Sequence, residues 1–238
     1  MINYYITHHT KHEILSIPAN QIPIEPEGIL VHSTGAANPN LRRYVDAPDL
    51  LGENKYGNHW NQPGIKKSPH IFVGLDKAGH MAACEVLPLN IACWGCGAGK
   101  KGSYNYPPTA YIQIEFCESD MTDAQYFHTG YAYLVELVAD LCRKYGFSVD
   151  KITSHKEAAA AGYASNHGDP ESYFFGFGEN MDKFRSRVAA KLAEKTDIIY
   201  RVQVGAFRSK ENALKMADEL SAIGYPVIIK EGKKINEL

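Results

Sequence analysis

Apolar residues recur with two different periods along this chain, and the changes of period mark its elements. Residues 28–34, Gly-Ile-Leu-Val-His-Ser-Thr, form a nearly continuous apolar run ending on polar residues, which predicts a buried strand with His32 near its mouth. Residues 70–75 and 80–87 predict two more strands, and Asp76, Lys77, Ala78 and Gly79 between them favour a tight turn, hence a hairpin. Residues 110–117 predict a central strand in which Glu115 stands among apolar neighbours, and a carboxylate so placed needs compensation. From 122 to 145 the period becomes helical: Leu134, Leu137, Val138 and Leu141 share a face, Thr122 is placed to cap the start, and Gly146 to stop the end.

Between 36 and 64, Asn, Pro, Gly and Asp predominate, predicting a long surface loop with one short helix around Leu50. Residues 151–155 predict a short strand or loop that delivers a second histidine, His155, and residues 180–195 a further helix. Polar residues 194–198 form the expected linker between residues 1–193 and 199–238. Within the last segment a strand at 200–207, a helix at 210–223 and a strand at 225–229 predict a βαβ unit too small for a large core.

A formal net charge of −2 supplies no positive field for nucleic acid, and no eighteen consecutive apolar residues occur, so neither a nucleic-acid partner nor membrane insertion is expected. The five cysteines, Cys84, Cys93, Cys96, Cys117 and Cys142, are odd in number and lie mostly in apolar runs, which argues for a reducing compartment over a disulfide framework. Cys93-Trp94-Gly95-Cys96 has the spacing of half a zinc site, yet no second such pair follows, so two packed thiols are expected. The start, Met1-Ile2-Asn3-Tyr4, carries no basic leader before an apolar segment, and synthesis in the cytoplasm without a classical signal is expected.

Two imidazoles and a carboxylate can hold zinc with one position open, leaving residual positive charge to polarise a carbonyl and acidify water. His32, His155 and Asp169 are such a set. Their spacing alone also admits a bland reading, with His32 a satisfied core histidine, His155 the start of a helix and Asp169-Pro170 a turn.

Five separated stretches occur in one order: Ile29-Leu30-Val31-His32-Ser33-Thr34, Ser68-Pro69-His70-Ile71-Phe72-Val73, Ile112-Gln113-Ile114-Glu115, Ser154-His155-Lys156-Glu157 and His167-Gly168-Asp169-Pro170-Glu171. Together they resemble the type 2 N-acetylmuramoyl-L-alanine amidases, the family of phage lysozyme-amidases and peptidoglycan recognition proteins, over residues 25–175. The resemblance implies an α/β fold, a mixed central sheet flanked by helices with a zinc cleft at one edge of the strands, followed by the βαβ appendage. It implies hydrolysis of the bond between N-acetylmuramic acid and L-alanine in bacterial peptidoglycan, by an endolysin or autolysin that reaches the wall after release. It implies one zinc ion per chain on His32, His155 and Asp169, Glu115 as general base, and His167 steadying the oxyanion. His167 also competes with Asp169 as third ligand. His70 and Trp94 are candidate groove residues, each equally readable as packing.

The chain departs from the family where many members read Ala-Trp-His-Ala-Gly and this one reads Ala92-Cys93-Trp94-Gly95-Cys96-Gly97, so a substrate contact from that histidine is missing. Residues 200–225 resemble the first half of a SPOR-type repeat, which binds glycan strands; pairing of two copies through this segment would cover an open sheet edge. Two other readings remain: a non-catalytic peptidoglycan-binding module of the same fold, and a zinc peptidase cutting within the stem peptide.

Overall fold

Strict alternation along the strands gives the sheet two unlike faces, and the division places the chemistry. The structure, a computed structural model, describes residues 2–194, 207, 209–224, 227 and 229, and the chain divides into two units, Met1–Lys195 and Thr196–Leu238. In the first unit the elements are β1 (Tyr4–Ile6), α1 (Glu13–Ser16), β2 (Ile29–Ala37), α2 (Pro48–Leu51), β3 (Ile71–Leu75), β4 (Met81–Glu85), β5 (Ile112–Glu118), α3 (Ala124–Tyr145), β6 (Ile152–Ser154), α4 (His155–Ala161), α5 (Glu171–Gly176) and α6 (Met181–Ala193). The strands form a six-stranded mixed sheet in the order β1-β4-β3-β5-β2-β6. Neighbours β3, β5, β2 and β6 run parallel, while β4 is antiparallel to β3 in the expected hairpin.

One face presents Ile29, Val31, Ile71, Val73, Ile112, Ile114 and Phe116, all buried against α3, α5 and α6. In α3, Phe127, Tyr131, Leu134, Val138 and Leu141 recur at intervals of four and three, so one stripe meets the sheet. Full burial of each such large apolar side chain stabilises by about 1.5–3 kcal/mol. Asp123, not the expected Thr122, caps α3 by accepting from the Tyr126 backbone N–H at 3.0 Å. Thr122 is instead tied by its hydroxyl to Asp120. Gly146, at φ 72°, ends the helix in the left-handed conformation.

The other face carries Leu30, His32, Gln113, Glu115, Cys117, Phe72 and Cys84. Here the segment expected as a surface loop proves to be a packed layer: Leu41, Tyr44, Val45 and Leu51 are buried against Phe72, Ala82, Cys84 and Cys117. Strand β1 was not expected; it pairs in parallel with the far side of β4. All five cysteines are free and buried, as packed thiols.

In the second unit, α7 (Lys210–Ala222) is capped by Ser209, whose side chain accepts from the Asn212 N–H. The expected strands at 200–207 and 225–229, and most of the expected linker, lie outside the described residues. No helix among the described residues is long and apolar enough to cross a membrane.

Candidate metal centre

Parallel register brings the chemistry to one level at the C-terminal ends of the strands, where ligands gather in open α/β sheets. His32 on β2 pairs with Glu115 on β5, and Glu115 in turn with Phe72 on β3. On the other side of β2, Val31 pairs with Ser154, so the next residue, His155, arrives beside His32. Regular pairing of β2 with β5 breaks just after Ser33, which releases the chain above the site.

A capping box aims the second histidine. Ser154 accepts from the Glu157 N–H while Glu157 reaches back to the Ser154 N–H, so α4 begins at His155. Arg185 fastens the box with a two-pronged contact to Glu157 at 2.9 and 3.0 Å. The Lys156 N–H donates to the Asp169 carbonyl at 3.2 Å, drawing the segment that carries the carboxylate alongside. The helix-start reading of His155 and its functional reading are thus compatible: the helix start is what positions the ring.

Three acceptor-bearing groups converge. His32 Nδ1 lies 3.1 Å from His155 Nδ1 and 3.1 Å from Asp169 Oδ2, and His155 Nδ1 lies 3.3 Å from Asp169 Oδ1. Both histidines are buried, and among the described residues these three are the group whose geometry could hold a metal ion. A tetrahedral zinc ion with bonds of about 2.0–2.1 Å separates its ligand atoms by about 3.3 Å, close to the spacings here. Burial alone would raise the Asp169 carboxyl, but hydrogen bonds and charge interactions with His155 and His32 hold it well below the usual carboxylate range. Burial lowers His32, favouring the neutral ring that binds metal.

Glu115 flanks His32, and its Oε2 is buried without a hydrogen-bond partner. Burial, then the nearby charges of Asp169 and Glu118, push its carboxyl well above the ordinary range. An unpaired buried oxygen beside three converging donors suits a group that meets its partner only when a cation and substrate are present. His167 is stacked on His155 with ring centroids 4.6 Å apart and is 61% exposed, with Nδ1 3.8 Å from Asp169 Oδ1, outside the trio.

His70 corrects an expectation. It is wholly buried: Nε2 donates to the Ile91 carbonyl at 2.9 Å, and Nδ1 accepts from the Gln113 N–H at 3.0 Å. With both nitrogens engaged by backbone, it braces the sheet and lines no groove. Trp94 is half-buried against Tyr106, with Lys66 over its ring, and stands outside the trio. Two residues at the site were missed from sequence. His32 Nε2 meets Gln113 Oε1 at 3.0 Å, and His155 Nε2 meets Ser165 Oγ at 3.3 Å. The alternation Ile112-Gln113-Ile114-Glu115 was the available signal for Gln113, since it puts this amide on the same face as Glu115; nothing local marks Ser165.

Comparison with known proteins matches residues 21–172 to the family model for N-acetylmuramoyl-L-alanine amidase and residues 196–237 to that for the SPOR domain. No curated protein sequence is matched. Among solved structures, the Staphylococcus aureus hydrolase AmiA in complex with its ligand is similar at 20% identity, over 81% of this chain and 83% of that one, with a TM-score of 0.55. The catalytic domain of XlyA is similar at 22% identity (79% and 99% covered, TM-score 0.52), and that of PlyG at 18% (84% and 99%, TM-score 0.53). These likenesses show the shared fold.

Proposed function

The chain belongs to the N-acetylmuramoyl-L-alanine amidase family, an enzyme family acting on peptidoglycan, and from that premise we propose that it works with one zinc ion held by His32 Nδ1, His155 Nδ1 and an Asp169 carboxylate oxygen. The convergence of these three atoms at 3.1–3.3 Å carries the reading. Without a cation, two ring nitrogens and a carboxylate facing one another would repel unless a proton were shared among them. Zinc supplies Lewis acidity, polarising the scissile carbonyl and easing loss of a proton from water.

The chain's own groups do the rest. Glu115 Oε2, unpartnered and beside His32, takes the proton of the attacking water and returns it to the departing amide nitrogen of L-alanine. His167, exposed above His155, donates to the substrate carbonyl oxygen as negative charge builds there. The open side of the site admits the substrate, while the buried faces of His32 and His155 keep the ligands from turning.

The amidase and SPOR domains together indicate peptidoglycan binding. We assign residues 1–193 to catalysis, 194–198 to a linker and 199–238 to attachment on glycan strands, in an enzyme that lyses walls as an endolysin or autolysin does. Digestion of purified peptidoglycan tests the bond assignment. A new free L-alanine amino terminus, without new sugar reducing ends, is expected; a different new amino terminus would assign the cut to the stem peptide instead.

A further inference from the structure

Hydrogen-bond direction can be followed atom by atom from the loop at residues 95–105 to both metal-facing rings. The backbone N–H groups of Gly95 and Cys96 point at Asn105 Oδ1 at 3.1 and 3.2 Å, and a backbone N–H can only donate, so that atom is the amide oxygen. Asn105 Nδ2 correspondingly donates to the Gly97 carbonyl at 2.9 Å. Asn105 Oδ1 and the Tyr104 carbonyl also receive Gln113 Nε2, at 2.9 and 3.3 Å, which turns Gln113 Oε1 towards His32 Nε2. An oxygen there only accepts, so His32 donates from Nε2 and turns Nδ1 to the site, where it stands 3.1 Å from Asp169 Oδ2.

The second ring is fixed from the same loop. Ser165 Oγ donates its one proton to the Cys96 carbonyl at 3.0 Å, so towards His155 Nε2 it can only accept. His155 therefore also donates from Nε2 and turns Nδ1 to the site. Two glycines make room for these acceptors: a Cβ at Gly95 would lie 2.3 Å from Gln113 Oε1, and one at Gly97, whose φ is +64°, 2.8 Å from Ser165 Oγ. Cys96 sits between them, buried, with Sγ 3.2 Å from Asn105 Oδ1, as a packing and hydrogen-bonding member of the loop.

We propose that the loop at residues 95–105 braces the metal centre from outside, and that Gln113 and Ser165 are positioning residues which, held by Asn105 and Cys96, anchor His32 and His155 through Nε2–H so that each Nδ1 faces the ion. This rests on the zinc reading above. It also gives the departure from the family at Cys93-Trp94-Gly95-Cys96-Gly97 a use: Gly95, where many members carry histidine, leaves room for the Gln113 amide that anchors His32. Partners of this kind commonly change metal affinity about 10–100-fold.

The test uses the full chain as wild type, Gln113→Met, which fills similar volume without an acceptor, and Ser165→Ala, a small truncation. Zinc affinity is read by chelator competition, and the Nε2–H hydrogen bond of each ring by 15N–1H NMR of the zinc-loaded protein. Gln113→Met is expected to lose about 10–100-fold in zinc affinity and to shift and speed the exchange of the Nε2–H of His32 but not that of His155. Ser165→Ala is expected to lose a similar factor in affinity and to disturb the Nε2–H of His155 but not that of His32, and this crossed pattern distinguishes positioning from general loosening. Wild-type affinity and unchanged Nε2–H signals in both folded variants would overturn the proposal while leaving the zinc reading intact. Both rings disturbed equally by either variant would also overturn it. A wild type that binds no zinc would sink the zinc reading itself, and the proposal with it.

Discussion

Replacing Ser154 by alanine should weaken the fold and the site together, because this hydroxyl both starts α4 and satisfies a neighbouring carboxylate. Ser154 Oγ accepts from the Glu157 N–H at 3.0 Å and donates to Glu171 Oε1 at 2.6 Å. Loss of the cap costs about 1 kcal/mol. Glu171 is half-buried and its Oε2 already lacks a partner, so stripping Oε1 of this hydroxyl adds about 1–3 kcal/mol. The sum, about 2–4 kcal/mol, corresponds to a fall in melting midpoint of roughly 4–16 °C for a unit of this size. Thermal unfolding in the presence of a chelator, followed by tryptophan fluorescence, reads the right unit, because the chain's 2 tryptophans, Trp60 and Trp94, both lie in Met1–Lys195. Since His155 is the first residue of the helix, zinc affinity should fall in the same variant, and Ser154→Thr, which keeps the hydroxyl, should recover most of both losses. A midpoint within 2 °C of wild type for Ser154→Ala would refute the reasoning.

Three further outcomes follow from particular contacts. Leu134→Ala, at a wholly buried position where α3 meets the sheet, should destabilise by about 2–5 kcal/mol in urea unfolding, with wall-clearing activity per folded molecule unchanged. Glu115→Gln should keep its zinc yet lose about 100- to 10,000-fold in turnover on purified walls, whereas a modest loss would remove Glu115 from the role of base. Burial pushes His70 down from 6.5 to about 4, so the unfolded chain takes up that proton first as pH falls. Its contribution, on the order of 3 kcal/mol, is therefore present above about pH 6.5 and lost towards pH 4. Urea midpoints of chelator-treated protein should drop across that window, and a ring resonance of His70 that titrates near 6.5 would contradict this.

The strands that carry the site were legible because burial on both faces leaves long apolar runs, and a polar residue inside such a run stands out: His32 and Glu115 were found this way. His155 and Asp169 were candidates by residue chemistry alone, and the resemblance singled them out, since their meeting depends on pairing across 123 and 137 residues with His32. What stayed hidden has the same cause in other forms. Strand β1 is three residues long and exists through its pairing with β4 some eighty positions later, so no local period announces it. The polar composition of the 36–64 segment masked Leu41, Tyr44, Val45 and Leu51, whose burial depends on the sheet beneath them. His70 read equally as a groove or a packing residue because sequence does not show that both its nitrogens meet backbone groups. At α3, adjacent Thr122 and Asp123 are both competent caps, and a contact with Asp120 decided between them.

The central claim, that the trio holds the ion and Glu115 does not, is tested most directly by elemental analysis of purified wild type, His155→Ala and Glu115→Ala, with wall clearing measured on the same samples. About one zinc per chain in wild type, lost from His155→Ala and kept by an inactive Glu115→Ala, is the predicted result. No zinc in carefully prepared wild type, or full clearing by both variants, would contradict the account.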